Sequence, residues 1–141
     1  ELEAQQTTGV RLRGEDGTLY VENMKAALGT LRDLGVSIWA VIHCPELGCG
    51  MDADGNYYEV RSLKLPKGYI KGTVGAGDAF CAGVLYAAET GEPLPKALKL
   101  GVCSAAASLS EVNASDGVKT LNEVLKLYKR FHPEDSPDIQ I

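Results

Sequence analysis

The chain of 141 residues lacks three features that would place it in a broad functional class. No apolar run is long enough to cross a bilayer, and the polar first nine residues do not resemble a secretory signal. Basic residues are outnumbered, with 14 Lys and Arg against 19 Asp and Glu. An acidic chain is poorly suited to bind a nucleic-acid backbone. We therefore expect a cytoplasmic protein that binds neither nucleic acid nor membrane.

Several catalytic and metal-binding patterns are also missing. The sequence has no Gly-Lys-Ser/Thr, which excludes a P-loop, and its four cysteines form no Cys-x-x-Cys pair. The acidic turn from Asp52 departs from a calcium loop, because Tyr57 replaces the required glycine and Leu63 the glutamate. Neither His43 nor His132 has a serine or cysteine at the spacing of a catalytic triad. We expect the cysteines to be buried free thiols.

The composition, 45% hydrophobic and 23% charged, is typical of one globular domain. Apolar spacing predicts a helix over Val21–Leu34, and the β-branched run Val36–Ile42 predicts a strand covered on both faces. The turn signal Asp52–Gly55 before Tyr57–Val60 predicts a hairpin. Residues 1–20 contain helix-breaking glycines, and we expect short extended pieces there.

The second half of the chain is helical in its periodicity. One helix is expected from Gly77 to Thr90 and a second from Pro93 to about Val112. A third begins at Thr120, where Thr-Leu-Asn-Glu has the form of a capping box. The order of elements predicts an α/β layered fold. Only three or four strands are visible, which is few for a complete sheet and suggests that part of the domain is missing.

The segment Gly72–Phe80, Gly-Thr-Val-Gly-Ala-Gly-Asp-Ala-Phe, carries the clearest chemical signal. Gly75, Ala76 and Gly77 let backbone N–H groups crowd together at the start of a helix, where the first amides lack internal partners. Such a site suits a phosphate or the charge of phosphoryl transfer. Asp78 beside it could accept a proton from an attacking hydroxyl. The residues alone leave open that Asp78 only caps the helix.

This segment, continued by Ala82-Gly83, resembles the C-terminal signature of the ribokinase/PfkB carbohydrate kinases, Asp-Thr-x-Gly-Ala-Gly-Asp-x-Phe followed by Ala-Gly. The resemblance implies that Asp78 is the general base and that Gly75, Ala76 and Gly77 form the anion hole for the transferred group. It also implies a ribokinase-like α/β fold, a layered sheet with helices on both faces, of which residues 1–141 would be the C-terminal portion only.

The same resemblance implies ATP and Mg²⁺ as cofactors. If the residue before Glu1 were Asn, Glu3 would be the glutamate of the family's Asn-x-x-Glu motif, which organises Mg²⁺ partly through water. Thr73 belongs to the signature and is a nucleotide-binding candidate. Gly48 and Gly50 occupy a turn that contacts the nucleotide in the family, although a simple glycine-rich turn explains them equally well. Asn113 is placed either to approach the base or to end its helix.

One position departs from the pattern. The family usually has an acidic residue where this chain has Gly72, and in ribokinases that residue helps to bind an activating monovalent cation. The resemblance therefore does not carry monovalent-cation activation over to this chain.

Two functions follow as expectations. In the first, a longer parent protein transfers phosphoryl from ATP to a sugar or nucleoside hydroxyl, and residues 1–141 supply the nucleotide-binding and catalytic-base half. In the second, the chain is a non-catalytic nucleotide-binding or oligomerisation module derived from such a kinase. We expect a homodimer that buries the open sheet, and a frayed tail over 133–141.

Overall fold

The structure, a computed structural model, describes residues 1–131, so the tail expected to fray lies outside the described residues. No helix in this described range is long and apolar enough to cross a membrane. Within residues 1–131, five helices and three strands follow one another, with a short 3₁₀ turn, Val21–Asn23, just before α2. The elements are α1 (Leu2–Thr8), α2 (Met24–Asp33), β1 (Ala40–His43), β2 (Leu47–Met51), β3 (Tyr57–Arg61), α3 (Ala76–Glu89), α4 (Leu94–Ser108) and α5 (Leu121–Phe131).

The three strands form one antiparallel sheet in the order β1-β2-β3. Ile42 pairs with Cys49 across the first ladder, and Cys49 pairs with Glu59 across the second. The expected hairpin joins β2 to β3. The Asp52 carboxylate closes its turn by accepting the N–H groups of Asp54 at 3.0 Å and Asn56 at 2.9 Å.

Helices cover both faces of this sheet, which confirms the expected fold class. On one face, Ala40 and Ile42 pack with Met24 and Leu28 of α2. The other face packs against α3 and α4, and α5 closes the far side of α4. The sheet is therefore the middle layer between two apolar cores.

The first half of the chain corrects three expectations. The predicted strand Val36–Ile42 begins only at Ala40, and Ile38 is 70% exposed. Residues 1–20 are not all extended, because α1 forms and ends where Gly9 takes a φ of 71°. Strand β2 was expected as a glycine-rich turn. Its two glycines have little intrinsic strand preference, and pairing on both sides makes it a strand.

The helical half follows the prediction more closely. Helix α3 lies within one residue of the expected bounds, whereas α4 ends at Ser108, before Val112. The Ser110 hydroxyl donates to the Ala107 carbonyl at 2.8 Å and so competes with continuation of the helix. At the start of α5 the Glu123 carboxylate accepts the Thr120 N–H at 3.0 Å, as in a capping box.

All four cysteines are free, and three of them are buried. Cys81 corrects the expectation, since it lies exposed on the side of α3 that no other described element covers. Its surroundings belong to an open trough of about 900 Å³ between α3 on one side and α1 and α2 on the other, which we call the β1 trough. Its apolar lining includes Val36, Ile38, Trp39, Val41, Phe80, Val84 and Leu85.

Strand β1 is a free edge within the described residues, because it pairs with β2 alone. Alternate residues of an edge strand direct their N–H and C=O groups away from the partner strand. An unpaired edge beside exposed apolar side chains favours pairing with another chain. The β1 trough therefore presents both unpaired backbone N–H and C=O groups and apolar surface.

We predict that this chain self-associates through the β1 trough. Ile38→Lys places a charge in the β1 trough, two residues before the free edge strand, and should shift the chain from dimer to monomer, because charges near a sheet edge oppose pairing with another chain. Light scattering across a concentration series measures the mass.

Leu34→Lys is the matched control. Leu34 is 64% exposed at the end of α2 and does not line the β1 trough, so this variant should keep the wild-type mass. A wild-type chain that stays monomeric at every concentration would contradict the prediction.

Candidate active site

The start of α3 has the geometry of an anion-binding helix terminus. Gly75 precedes the helix with a φ of 84°, a conformation that favours glycine, and its carbonyl accepts the Ala79 N–H at 2.8 Å. Of the next N–H groups, that of Ala76 reaches the Thr73 carbonyl at 3.4 Å, and the others of the first turn have no intrahelical carbonyl one turn earlier to receive them. Asp78 lies in this first turn and is exposed. The predicted anion hole and the predicted base therefore occupy one helical turn.

A cavity of about 530 Å³, which we call the α4 cavity, opens at this turn. Its apolar end lies between the segment after β3 and the inner face of α4. Its polar end is formed by the first turn of α3 and by α1. The apolar lining is Leu63, Leu65, Ile70, Val102, Ala105, Ala106 and Leu109, and the other end includes Glu1, Glu3, His43, Thr73, Ala76 and Gly77. The cavity thus combines an apolar end with an anion-binding end.

Four residues line both the α4 cavity and the β1 trough, namely Glu1, Glu3, His43 and Gly77. The two spaces therefore meet at Gly77, the residue before Asp78, although Asp78 itself is not among the residues that line either space. A group bound in one space could be transferred to a group bound in the other at this junction.

His43 has no catalytic-triad partner at a recognisable spacing in the sequence, but it lies at this junction. Its ring stacks on the Phe80 ring, with centroids 4.1 Å apart and planes 9° apart. Burial, together with the nearby chain amino group, lowers the pKa of His43 to about 4, against the opposing effect of the Glu1 carboxylate. The imidazole is therefore neutral at pH 7. The sequence could have marked His43 as a candidate site residue by its place at the end of an apolar strand, since ligands often bind at strand ends in α/β folds.

Glu3 and Glu1 differ in how free their carboxylates are. The Arg13 guanidinium donates to Glu1 at 2.9 Å and to Glu46 at 2.8 Å, and the pKa of Glu1 is lowered chiefly by this hydrogen bonding. Glu1, Cys44 and Glu46 lie close enough to share a metal ion, but Arg13 already occupies both carboxylates. The Glu3 side chain is 89% exposed and lines the α4 cavity, and its carboxylate lies 3.8 Å from the chain amino group. Its carboxylate oxygens are hard ligands, the kind that bind Mg²⁺ jointly with the phosphates of a substrate.

The structure gives Gly48 and Gly50 a different environment from the expected turn. Both lie inside the buried strand β2. A Cβ atom at Gly48 would lie 2.6 Å from the Phe80 ring, and one at Gly50 would lie 3.2 Å from Leu94. Neither glycine lines the α4 cavity, so packing explains them here and their contact with a nucleotide stays a prediction.

Asn113 is also separate from the α4 cavity. It is exposed in the loop after α4, where its side chain accepts the Asp116 N–H at 2.8 Å and donates to the Asp116 carboxylate at 2.7 Å. These bonds close a local turn. Thr73, in contrast, lines the cavity, and its carbonyl accepts the Ala76 N–H at 3.4 Å.

Comparison with known sequences matches residues 2–121 to the model of the pfkB family carbohydrate kinases. A 5-dehydro-2-deoxygluconokinase of Geobacillus thermodenitrificans is 37% identical over 60 residues, which are 43% of this chain and 18% of that protein. The enzyme of the same name from Geobacillus kaustophilus is 36% identical over 60 residues, again 43% of this chain and 18% of that protein.

Solved structures show the same fold. Ribokinase from Arabidopsis thaliana, complexed with ribose and ATP, matches 92% of this chain with a TM-score of 0.74 and 22% identity. Phosphofructokinase-2 from Escherichia coli, in complex with potassium, matches 92% with a TM-score of 0.71 and 18% identity. The chain covers 39% and 38% of these two proteins, respectively. It spans about two fifths of the solved structures and under a fifth of the curated relatives that it matches.

We predict that Gly48→Ala lowers the free energy of unfolding by about 1–3 kcal/mol, because the added methyl group overlaps the Phe80 ring. Urea unfolding measures the change. Phe80→Leu in the same chain should recover part of the loss, and a double-mutant cycle quantifies the coupling. Wild-type stability of Gly48→Ala would contradict the packing role.

We also predict that stability falls between about pH 6.5 and 4. His43 has an unfolded pKa of about 6.5 and a folded pKa of about 4. In that window the unfolded chain binds a proton that the folded chain does not, so acid favours unfolding by up to about 3 kcal/mol. His43→Gln should flatten the slope in denaturant titrations at successive pH values. An unchanged slope would show that burial of His43 does not govern it.

Proposed function

The chain belongs to the pfkB family of carbohydrate kinases, and from this membership we propose that its full-length protein transfers the γ-phosphoryl group of ATP to a hydroxyl of a sugar-like molecule. The observation that carries the proposal is that the α4 cavity and the β1 trough share Gly77, which directly precedes Asp78 in the first turn of α3. A donor on one side and an acceptor on the other would meet at the first turn of α3.

In the proposed reaction Asp78 is the general base. The acceptor oxygen attacks the γ-phosphorus, its proton moves to the Asp78 carboxylate, and the bond from the γ-phosphorus to the oxygen of the leaving ADP breaks. The backbone N–H groups of Gly75, Ala76 and Gly77 stabilise the negative charge on the transferred group. The exposure of Asp78 leaves its carboxylate open to an acceptor.

In this proposal the α4 cavity holds the nucleotide in one orientation. Its apolar end, with Val102, Ala105 and Leu109, suits an adenine ring, and its polar end directs the phosphates towards Gly77. Thr73 lies on that phosphate side. Glu3 would hold Mg²⁺ there, partly through water, and the ion would neutralise phosphate charge during transfer.

The acceptor is proposed to be a sugar or a sugar acid. Support comes from the names of the similar proteins, a 5-dehydro-2-deoxygluconokinase and a ribokinase solved with ribose. Residues that would orient the acceptor in line with the γ-phosphate belong, in this proposal, to the part of the parent protein that the chain does not span.

We predict that Asp78→Asn in the full-length protein lowers kcat by about 100-fold or more, the usual contribution of a general base. The amide keeps the size of the side chain and removes its basicity, so nucleotide affinity should change little. Coupled-assay turnover and ATP titration measure the two quantities.

Glu89→Gln is the matched control, because Glu89 is an exposed carboxylate at the opposite end of α3. It should leave both quantities at the wild-type value. Wild-type turnover by Asp78→Asn would remove Asp78 from the mechanism. Turnover of any sugar by the 141-residue chain alone would show that the acceptor needs no further part of the parent.

A further inference from the structure

The loop that follows α4 packs against the loop that precedes α3. The Lys71 N–H donates to the Leu109 carbonyl at 2.9 Å, and the Lys71 ammonium lies 3.6 Å from the Glu111 carboxylate. At Gly72 a Cβ atom would lie 2.6 Å from the Val112 carbonyl oxygen and 3.0 Å from that of Glu111. No side chain fits at Gly72 unless the backbone of the covering loop moves.

A second contact of the same kind lies three residues further on. A Cβ atom at Gly75 would lie 2.6 Å from the Ala114 Cβ and 2.9 Å from its Cα. The covering segment Glu111–Ala114 therefore touches the loop before α3 at two glycines. Because Gly75 begins the anion-hole turn, this packing fixes the turn from outside the α4 cavity.

These residues do not fit a monovalent cation. An alkali cation is held by several oxygen ligands arranged around a space of its own size. Gly72 supplies no side-chain oxygen, and the Val112 and Glu111 carbonyl oxygens lie only 2.6 Å and 3.0 Å from where a Cβ atom at Gly72 would be. The nearest positive group on this loop is the Lys71 ammonium, which pairs with Glu111 and would repel a second cation. Escherichia coli Phosphofructokinase-2, which shares the fold, was solved with potassium.

We propose that direct packing of Glu111–Ala114 on Gly72 and Gly75 holds the anion-hole loop of this chain, and that this loop binds no monovalent cation. The consequence for catalysis rests on the proposed function. A kinase built in this way would transfer phosphoryl groups equally well with and without potassium.

Thermal unfolding of the chain tests the inference without any need for activity. Tm should be the same in potassium chloride and in N-methylglucamine chloride of equal ionic strength. A saturable rise in Tm that is specific to potassium would overturn the inference. ATP affinity in the same two salts should also be equal, and binding that requires potassium would overturn it as well. Absence of ATP binding in both salts would count against the proposed function and leave the Tm comparison decisive.

Two substitutions at Gly72 sharpen the test. Gly72→Asp supplies the missing carboxylate, yet it should lower Tm and gain no potassium response, because the side chain must displace the Val112 carbonyl. A potassium response with wild-type Tm would overturn the inference. Gly72→Ala should lower Tm by at least about 3 °C through the same overlap. Gly72→Ala with wild-type Tm would equally overturn it.

The control is Gly29→Ala, at a helical glycine of α2 where an added Cβ meets nothing within 4 Å. It should leave Tm unchanged or raise it, since alanine favours the helix more than glycine does. A fall in Tm equal to that of Gly72→Ala would mean that the loss is not specific to the covered loop, and would overturn the packing argument.

Discussion

The close fit of the Phe80 ring between sheet and helix is the contact on which the candidate site depends. Phe80 is 3% exposed, and its ring lies where Cβ atoms at Gly48 of β2 and Gly101 of α4 would be, 2.6 Å and 2.9 Å away. His43 covers the ring by stacking. Because Phe80 follows Asp78 by two residues, this packing fixes where the first turn of α3 meets the sheet. Because a protein interior is close-packed and hardly compressible, a shift of the Phe80 ring would be transmitted to this helical turn.

A second constraint acts on the same turn from the opposite side. The segment after α4 presses on Gly72 and Gly75, so both the helix start and the loop leading into it are held by backbone contacts. The first turn of α3 is thereby held by packing, whereas Glu1 and His43 at the junction of the two cavities are also joined by a hydrogen bond, in which the Glu1 amino group donates to the His43 carbonyl at 3.1 Å. A preorganised site of this kind suits a reaction in which positioning and electrostatics provide most of the catalysis.

Local patterns predicted the elements whose signals lie within one stretch of chain. The apolar stripe of α4, the Asp52 turn and the Thr120 capping box are examples, since each depends on residues within a few positions of one another. Strand β2 and helix α1 were missed for the opposite reason. Leu47–Met51 contains two glycines and is a strand only because β1 and β3 pair with it, and the glycines around residues 9–17 obscured a helix that ends at Gly9.

For the site, the sequence alone predicted the anion-binding turn and its carboxylate, Gly75, Ala76, Gly77 and Asp78. The flexible glycines, the start of the helix and the carboxylate are adjacent in the chain. Only the tertiary structure decided what surrounds that turn. It brought Glu3, His43 and Thr73 to one cavity, left Asn113 in a separate exposed turn and buried Gly48 beneath Phe80. These positions are up to roughly a hundred residues apart along the chain, and their proximity follows from how the helices pack on the sheet, which no short-range pattern of residues encodes.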